Sequence, residues 1–327
     1  MTYTNLDQYF QAADMKNRTP IGCVVVFPND VQIIQAVVRA YKEQLINPIL
    51  IGEKKIIEEL LVKAGEKNNL FKIYNEKYSQ AAIDLAIDMV YGGDADCIMK
   101  GHIETSEFMH EILKKENRFC EKSLVSMVSF RILPNYPKLV ALTDTGICPH
   151  PTLEQKAEII HNAVSAMQAM GVECPKVACV TAYNYADVKM PETIDAAALK
   201  QFNETGQLTG CIVDGPMTID VALDREQAKR KGVKSSVAGN ADIILFPDLT
   251  SASISSRMIS LVTDRAPGIL VVGTKVPVII VSKNASEETK YLSIRIAVSS
   301  SVTPLREQGN AEKEGLQTEG RKTKFAG

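Results

Sequence analysis

The sequence predicts an α/β fold of two domains with mostly parallel sheets, on three observations. Short apolar runs ending in Gly, Pro or Asp alternate with amphipathic stretches of helical spacing, and this alternation fills both halves of the chain. The runs suit strands buried on both faces and are too short for core helices. With 327 residues, 45% of them hydrophobic, the chain has material for two domains of ordinary size.

Residues 21–27 form a compact apolar run closed by Pro28-Asn29-Asp30, a strand followed by a capping turn. Asp30 opens an amphipathic segment over 31–45, which Asn47-Pro48 stops before a strand at 49–51. Gly52 turns into a helix over 53–64, residues 71–74 form a third strand, and 78–91 a third helix ended by Gly92-Gly93. Residues 95–101 read as a buried strand emptying into a loop, with a helix over 105–115 after it. Strands at 124–130 and 138–142 can pair across Pro134-Asn135-Tyr136-Pro137.

The second half opens on a helix over 152–170, where Thr152-Leu153-Glu154-Gln155 resembles a capping box. A strand over 176–181, a helix over 191–204 and a strand over 210–213 lead to Asp214-Gly215-Pro216. A helix at 224–231 and a strand at 243–246 follow, and Pro247 then denies the ladder its next N–H. A helix over 251–262, strands at 268–272 and 276–281, and a helix over 287–298 complete the series. Residues 299–327 are rich in Ser, Gly, Glu, Lys and Gln, and such a composition predicts a disordered tail.

Composition narrows the partners. Thirty-seven basic residues against 39 acidic ones, with no basic block in the body of the chain, argue against nucleic acid. Small anions remain compatible, since a cleft can concentrate positive charge on a near-neutral protein. No apolar run reaches the length of about 18 residues that suggests a membrane span, and the N-terminus lacks the pattern of a secretory signal. Seven widely spaced cysteines without a C-x-x-C pair read as reduced thiols of a cytoplasmic protein.

The strand-end loops collect the candidate site residues. They are Lys100-Gly101-His102 with Thr105, Asp144-Thr145-Gly146, Asp214-Gly215-Pro216, Gly239 with Asp248, and Ser282-Lys283-Asn284-Ala285-Ser286. Together they resemble an anion site. Gly101 and Gly239 would let backbone N–H groups approach an oxyanion, Lys100 and Lys283 would supply charge, and a following helix N-terminus would add its dipole. Asp214 and Asp248 fit a crevice at the carboxyl ends of strands, and equally fit turn and helix-cap positions. Neither G-x-x-x-x-G-K-[ST] nor G-x-G-x-x-G occurs, and His102, His110, His150 and His161 lack zinc-ligand spacing. Asp220 and Asp224 could present two carboxylates on one helix face, or simply form a solvated helix start. Ser282 lacks the G-x-S-x-G elbow of a serine hydrolase.

Over about residues 20 to 300 the chain resembles the phosphate acetyl/butyryltransferase family, and its phosphate butyryltransferase (branched-chain phosphotransacylase) branch more closely. The residues carrying this are Met99-Lys100-Gly101 with Thr105, Leu142-Thr143-Asp144, Met190-Pro191 with Asp195-Ala196-Ala197-Ala198, Val213-Asp214-Gly215-Pro216, Val237-Ala238-Gly239 with Ala241-Asp242, and Pro247-Asp248-Leu249. The resemblance implies a fold like that of isocitrate and isopropylmalate dehydrogenases, with a cleft between two α/β domains. Domain I would be discontinuous, 1–142 plus 280–300, domain II would span 143–279, and 301–327 would be the tail. The implied reaction is acyl-CoA plus phosphate giving acyl phosphate plus CoA, in a ternary complex, with coenzyme A as substrate and no tightly bound cofactor or metal. A homo-oligomer is implied as well.

The family's Ser-Arg pair at the end of the last strand corresponds here to Ser282 and Lys283, the implied catalytic residues. Lys283 would attract phosphate as a point charge without the bidentate fork of Arg. Lys100, Gly101, Thr105, His110, Asp144, Asp214, Gly239, Asp248 and Thr289 are the implied substrate-binding set. Two further family arginines appear as His110 and Cys120, and the acetyltransferase branch's Asp appears as Thr289, as in the butyryl branch. Anion binding then falls to Lys100, Lys283, Arg257 and protonated His110. A CoA or acyl-phosphate binding protein without turnover is the alternative from another class, and a metal-dependent dehydrogenase on the related fold is the third.

Overall fold

The computed structural model describes residues 6, 9–10, 19–114, 119–120 and 124–301. The tail expected over 301–327 lies outside them from residue 302 onward, as does the last residue of the helix expected at 105–115. The strands are β1 (Ile21–Val26), β2 (Ile46–Gly52), β3 (Lys72–Asn75), β4 (Cys97–Lys100), β5 (Ser126–Ile132), β6 (Leu139–Thr143), β7 (Lys176–Val180), β8 (Ile212–Met217), β9 (Ile243–Leu245), β10 (Gly268–Val272) and β11 (Val278–Ile279). They form one sheet in the order β3-β2-β1-β4-β11-β10-β5-β6-β9-β7-β8. Pairing is parallel except around β10 and β5, which run antiparallel to their neighbours.

The helices are α1 (Val31–Lys42), α2 (Lys54–Lys63), α3 (Ser79–Tyr91), α4 (Thr105–Ile112), α5 (Leu153–Ala169), α6 (Pro191–Glu204), α7 (Ile219–Leu223), α8 (Arg225–Arg230), α9 (Leu249–Val262) and α10 (Glu287–Ser300). On one face of the sheet α1, α2, α5, α6 and α10 share a single core that joins both halves of the chain. On the other face the core is split. One cluster holds α3 and α4 over the first half, and another holds α7, α8 and part of α9 over the second. The C-terminal helix α10 returns to the first half, where Arg39 of α1 stacks 3.6 Å from the Tyr291 ring and reaches Glu288 at 2.5 Å.

Local signals set most of the elements. Thr152 accepts from the Gln155 N–H at 3.3 Å while Gln155 Oε1 accepts from the Thr152 N–H at 2.9 Å, closing the capping box of α5. Thr152→Ala is expected to lower stability by about 1 kcal/mol, read as a reduced urea midpoint with unchanged slope. The 126–143 hairpin forms in the expected antiparallel sense, and α6 spans Pro191–Glu204 as its N1 proline requires.

Four expectations need correction. α1 ends at Lys42, Gln44 turns the chain at φ 58°, and β2 begins at Ile46 and includes Pro48. Proline is tolerated there because β3 pairs with β2 only from Ile49 onward. β8 runs on through Asp214-Gly215-Pro216 to Met217, so Asp214 lies inside a strand and not at its end. Pro216 fits because β8 is the sheet edge. The last strand is only Val278–Ile279, and the possible helix shared by Asp220 and Asp224 is the short α7, which holds Asp220 and ends before Asp224, the N-cap of α8. Gly239 precedes β9 among residues that bond the amino ends of neighbouring strands, with the Asp242 N–H donating to Lys176 O, so it lies at the opposite end of the sheet from Asp248.

Candidate active site

The residues that the fold brings together lie beyond the carboxyl ends of β4 and β11, which pair in parallel with Val278 beside Ile98 and Ile279 beside Met99. After β1 the backbone turns at Phe27, whose φ of 52° is unusual for a bulky residue. It crosses directly beneath Gly101: the Gly101 N–H donates to Val26 O at 2.8 Å and the His102 N–H to Phe27 O at 2.7 Å. A Cβ on Gly101 would lie 2.5 Å from both the Phe27 carbonyl carbon and Val26 O, so glycine is required by a close backbone crossing.

Lys100, at the end of β4, is 1% exposed. Its ammonium donates to Gly101 O at 3.1 Å and Ile103 O at 2.9 Å. Two carbonyls use two of its three N–H donors. Burial first, and then the nearby Lys283 cation, push it down to about 8, with Glu104 opposing. Lys283 follows β11 and forms an ion pair with Glu104, and this bond is the main reason the Glu104 carboxyl lies below its ordinary value. Ser282 beside it is exposed. Glu104 is the N-cap residue of α4 but its side chain does not cap, so the first-turn N–H groups of α4, beginning with Thr105, receive no side-chain acceptor from it.

The other expected residues sit elsewhere or are already engaged. The expectation that Gly101 and Gly239 offer their N–H groups to an oxyanion is corrected, since Gly101 donates to Val26 O and Gly239 to Val221 O at 2.8 Å. Gly239, at φ 67°, is packed so closely that a Cβ would lie 2.5 Å from Arg225 Cα. Asp144 is 4% exposed and turned inward, accepting from the N–H groups of Met127, Gly146, Ile147 and Cys148 at 2.8–3.2 Å. Burial raises its pKa against those four bonds, which tie the loop 146–148 to the start of β5.

Asp214 pairs with Lys200 of α6 at 2.9 Å, and its strand lies seven steps along the sheet from β4. At the usual inter-strand spacing this is a path of roughly 34 Å. Asp248 caps α9 by accepting from the Ser251 N–H at 2.8 Å. Thr289 is 7% exposed in the first turn of α10, its N–H donating to the cap Ser286 Oγ at 3.2 Å. His110 is exposed in the last turn of α4, and Cys120 bridges to Thr274. Among the described residues no group of three or more His, Cys, Asp or Glu could hold a metal, and no helix is long and apolar enough to cross a membrane.

Two residues beside the site carry no motif signal. Glu104 pairs with Lys283, and Lys290 is a fully buried lysine whose ammonium reaches Asp30 Oδ2 at 2.9 Å and Ala285 O at 2.6 Å. The sequence offers one hint of Lys290. It stands in the same helical stripe as the buried Ile294 and Ala297, where an unpaired lysine would not be tolerated.

Comparison with known proteins identifies the family. Residues 53–298 match the family described as Phosphate acetyl/butaryl transferase. The phosphate butyryltransferase of Clostridium acetobutylicum is 36% identical over 283 residues, covering 86% of this chain and 94% of that protein. The phosphate acetyltransferase of Thermotoga maritima is 37% identical over 277 residues, covering 84% and 92%. The crystal structure of a branched-chain phosphotransacylase from Enterococcus faecalis V583 superimposes with a TM-score of 0.77 at 27% identity, covering 86% of this chain and 99% of that one. A phosphate acyltransferase activity follows, with CoA as a substrate of the family. The chain belongs to the phosphate acetyl/butaryl transferase family.

Proposed function

We propose that the protein transfers a short, straight or branched acyl group between coenzyme A and inorganic phosphate, directly and within one ternary complex, beyond the carboxyl ends of β4 and β11. The observation that carries this reading is the convergence of Lys100 and Lys283. They come from loops far apart in sequence, Lys100 donates to Ile103 O at 2.9 Å while Lys283 pairs with the adjoining Glu104, and both thereby flank the start of α4, which Glu104 leaves uncapped. Two cations and a helix N-terminus form a phosphate cradle.

In the forward direction a phosphate oxygen attacks the thioester carbonyl, and the C–S bond breaks from the resulting tetrahedral oxyanion. The thiolate leaves and takes up a proton to become free CoA. Lys100, Lys283 and the N–H groups from Thr105 onward hold phosphate, while the exposed Ser282 hydroxyl donates to the oxyanion or the departing sulfur. His110, exposed on the last turn of the same helix, would take a more distal phosphate of CoA. We assign Asp144, Gly239, Asp248 and Thr289 to holding the loops and caps, and Asp214 to its pair with Lys200. The split core on the α4 and α9 face supports a cleft between a first domain completed by α10 and a second domain. The family supports a homo-oligomer, and seven widely spaced cysteines without a C-x-x-C pair support a cytoplasmic location.

A coupled assay with butyryl-, isobutyryl- and acetyl-CoA tests the reading. Phosphate-dependent release of CoA is expected with at least one of them, fastest with the four-carbon chains. Absence of release with all three would sink it. The pairing of Lys283 with Glu104 favours one second reading, a CoA-binding protein whose cation is occupied. Calorimetric CoA binding without turnover would establish that instead.

A further inference from the structure

We infer that Lys290 is a positioning residue for the reaction: it sets the loop that carries Ser282 and Lys283, and this rests on the site assignment above. Lys290 is 0% exposed, and its ammonium is held on two sides. From the chain's beginning, Asp30 Oδ2 accepts at 2.9 Å and Gln32 Oε1 at 3.2 Å. From the candidate loop, Ala285 O accepts at 2.6 Å and Lys283 O at 3.4 Å. Asp30 is itself fixed, because its other oxygen accepts from the Gln32 N–H at 3.0 Å as the N-cap of α1. One buried cation therefore ties the start of α1, the first turns of α10 and the loop 282–286 together.

A structural role alone does not call for a charge here. α10 is already attached to α1 by Arg39 with Glu288 and Tyr291, and its buried face is apolar along Leu292, Ile294 and Ile296. A buried ion pair is often replaceable by well-packed apolar side chains without loss of stability. What an apolar residue could not do is donate to the carbonyls of Lys283 and Ala285. Among the described residues, the backbone bond from one loop residue to another is the Ala285 N–H to Ser282 O at 3.0 Å. Removing the ammonium frees those two carbonyls to turn outward, and the Ser282 hydroxyl and Lys283 side chain move with them. A misplacement of about 1 Å at a reacting group can lower a rate about a hundredfold.

The test uses the full chain with butyryl-CoA and inorganic phosphate, comparing wild type with Lys290→Met, Asp30→Asn and the double variant. Circular dichroism measures the folded fraction, and amide hydrogen exchange is followed by peptide. Lys290→Met is expected to lower kcat per folded molecule at least thirtyfold with KM for butyryl-CoA within twofold. Its faster exchange should be confined to 282–286. Asp30→Asn should give a smaller loss in the same direction, and the double variant should be no worse than Lys290→Met. If Lys290→Met does not fold, Asp30→Asn still decides the matter. A kcat within twofold of wild type in either folded variant, or unchanged exchange at 282–286, would overturn the inference. Should the wild type release no CoA with phosphate from butyryl-, isobutyryl- or acetyl-CoA, the functional reading fails by itself, and the exchange at 282–286 still decides what Lys290 does.

Discussion

Gly101→Ala is expected to produce the largest loss of stability of any single methyl added to this chain, with loss of activity in whatever folds. The added carbon would lie 2.5 Å from both Val26 O and the Phe27 carbonyl carbon, which are backbone atoms without freedom to retreat. Val26 is paired with Lys100 in the sheet, and Phe27 is held by its own N–H to Ile51 O at 2.7 Å. Relief requires that the end of β4 lift away from β1, breaking the bonds from Gly101 to Val26 and from His102 to Phe27. Overpacking in a tight site costs about 1–3 kcal/mol and occasionally more. With two backbone bonds also at stake, at about 1 kcal/mol each, a loss of about 4 kcal/mol is expected as a lowered urea midpoint. Lys100 and the start of α4 ride on the displaced segment, so kcat/KM for phosphate should fall at least about a hundredfold in the folded fraction. A variant with wild-type activity and midpoint would show that the crossing is not as close as described.

The same crossing marks the boundary between what the sequence discloses and what it withholds. Elements whose signals are local were legible: the capping box at Thr152, the proline that opens α6, and the hairpin closed by Pro134-Asn135-Tyr136-Pro137. The position of Lys100, Gly101, Ser282 and Lys283 at strand ends is also legible, because each stands at or just after a short apolar run with turn chemistry at its end. What is not legible depends on distant segments. Whether Pro216 ends a strand depends on β8 being an edge, and strand order is not written locally. Which end of the sheet Gly239 occupies depends on the path through α7 and α8. A glycine motif likewise leaves open whether its N–H faces a ligand or another strand, and for Gly101 and Gly239 it faces the protein. Glu104 carries no local signal and Lys290 only its place in a buried stripe, because partners 179 and 260 residues away give them their meaning.

Lys100→Met is expected to reduce kcat/KM for phosphate by about a hundredfold to a thousandfold, the range found when one donor to a developing charge is removed. The methionine fills much of the same volume and removes a buried charge, so the fold should survive. A proton balance separates this from a general loss of order. Lys100 has its pKa pushed down to about 8, against the usual 10.5 for lysine. A bound phosphate anion favours the ammonium and raises that value again. Above pH 8, phosphate binding must therefore be accompanied by proton uptake, and its affinity must fall as pH rises. Below pH 8 the ammonium is already formed and this dependence disappears. For folding the sign is opposite. The unfolded chain holds more protons between about 8 and 10.5, so this group destabilises the fold at neutral pH and ceases to do so as pH rises through that window. Ionisation of phosphate itself affects every variant alike and cancels when they are compared at one pH. The neighbours then move the limb in opposite directions. Glu104→Gln removes the charge that favours the Lys100 ammonium and should shift the fall in phosphate affinity to lower pH. Lys283→Met removes the cation that opposes it and should shift the fall to higher pH, while weakening phosphate binding at every pH. Identical pH profiles in the wild type and both neighbour variants would refute the placement of Lys100 and Lys283 around one anion.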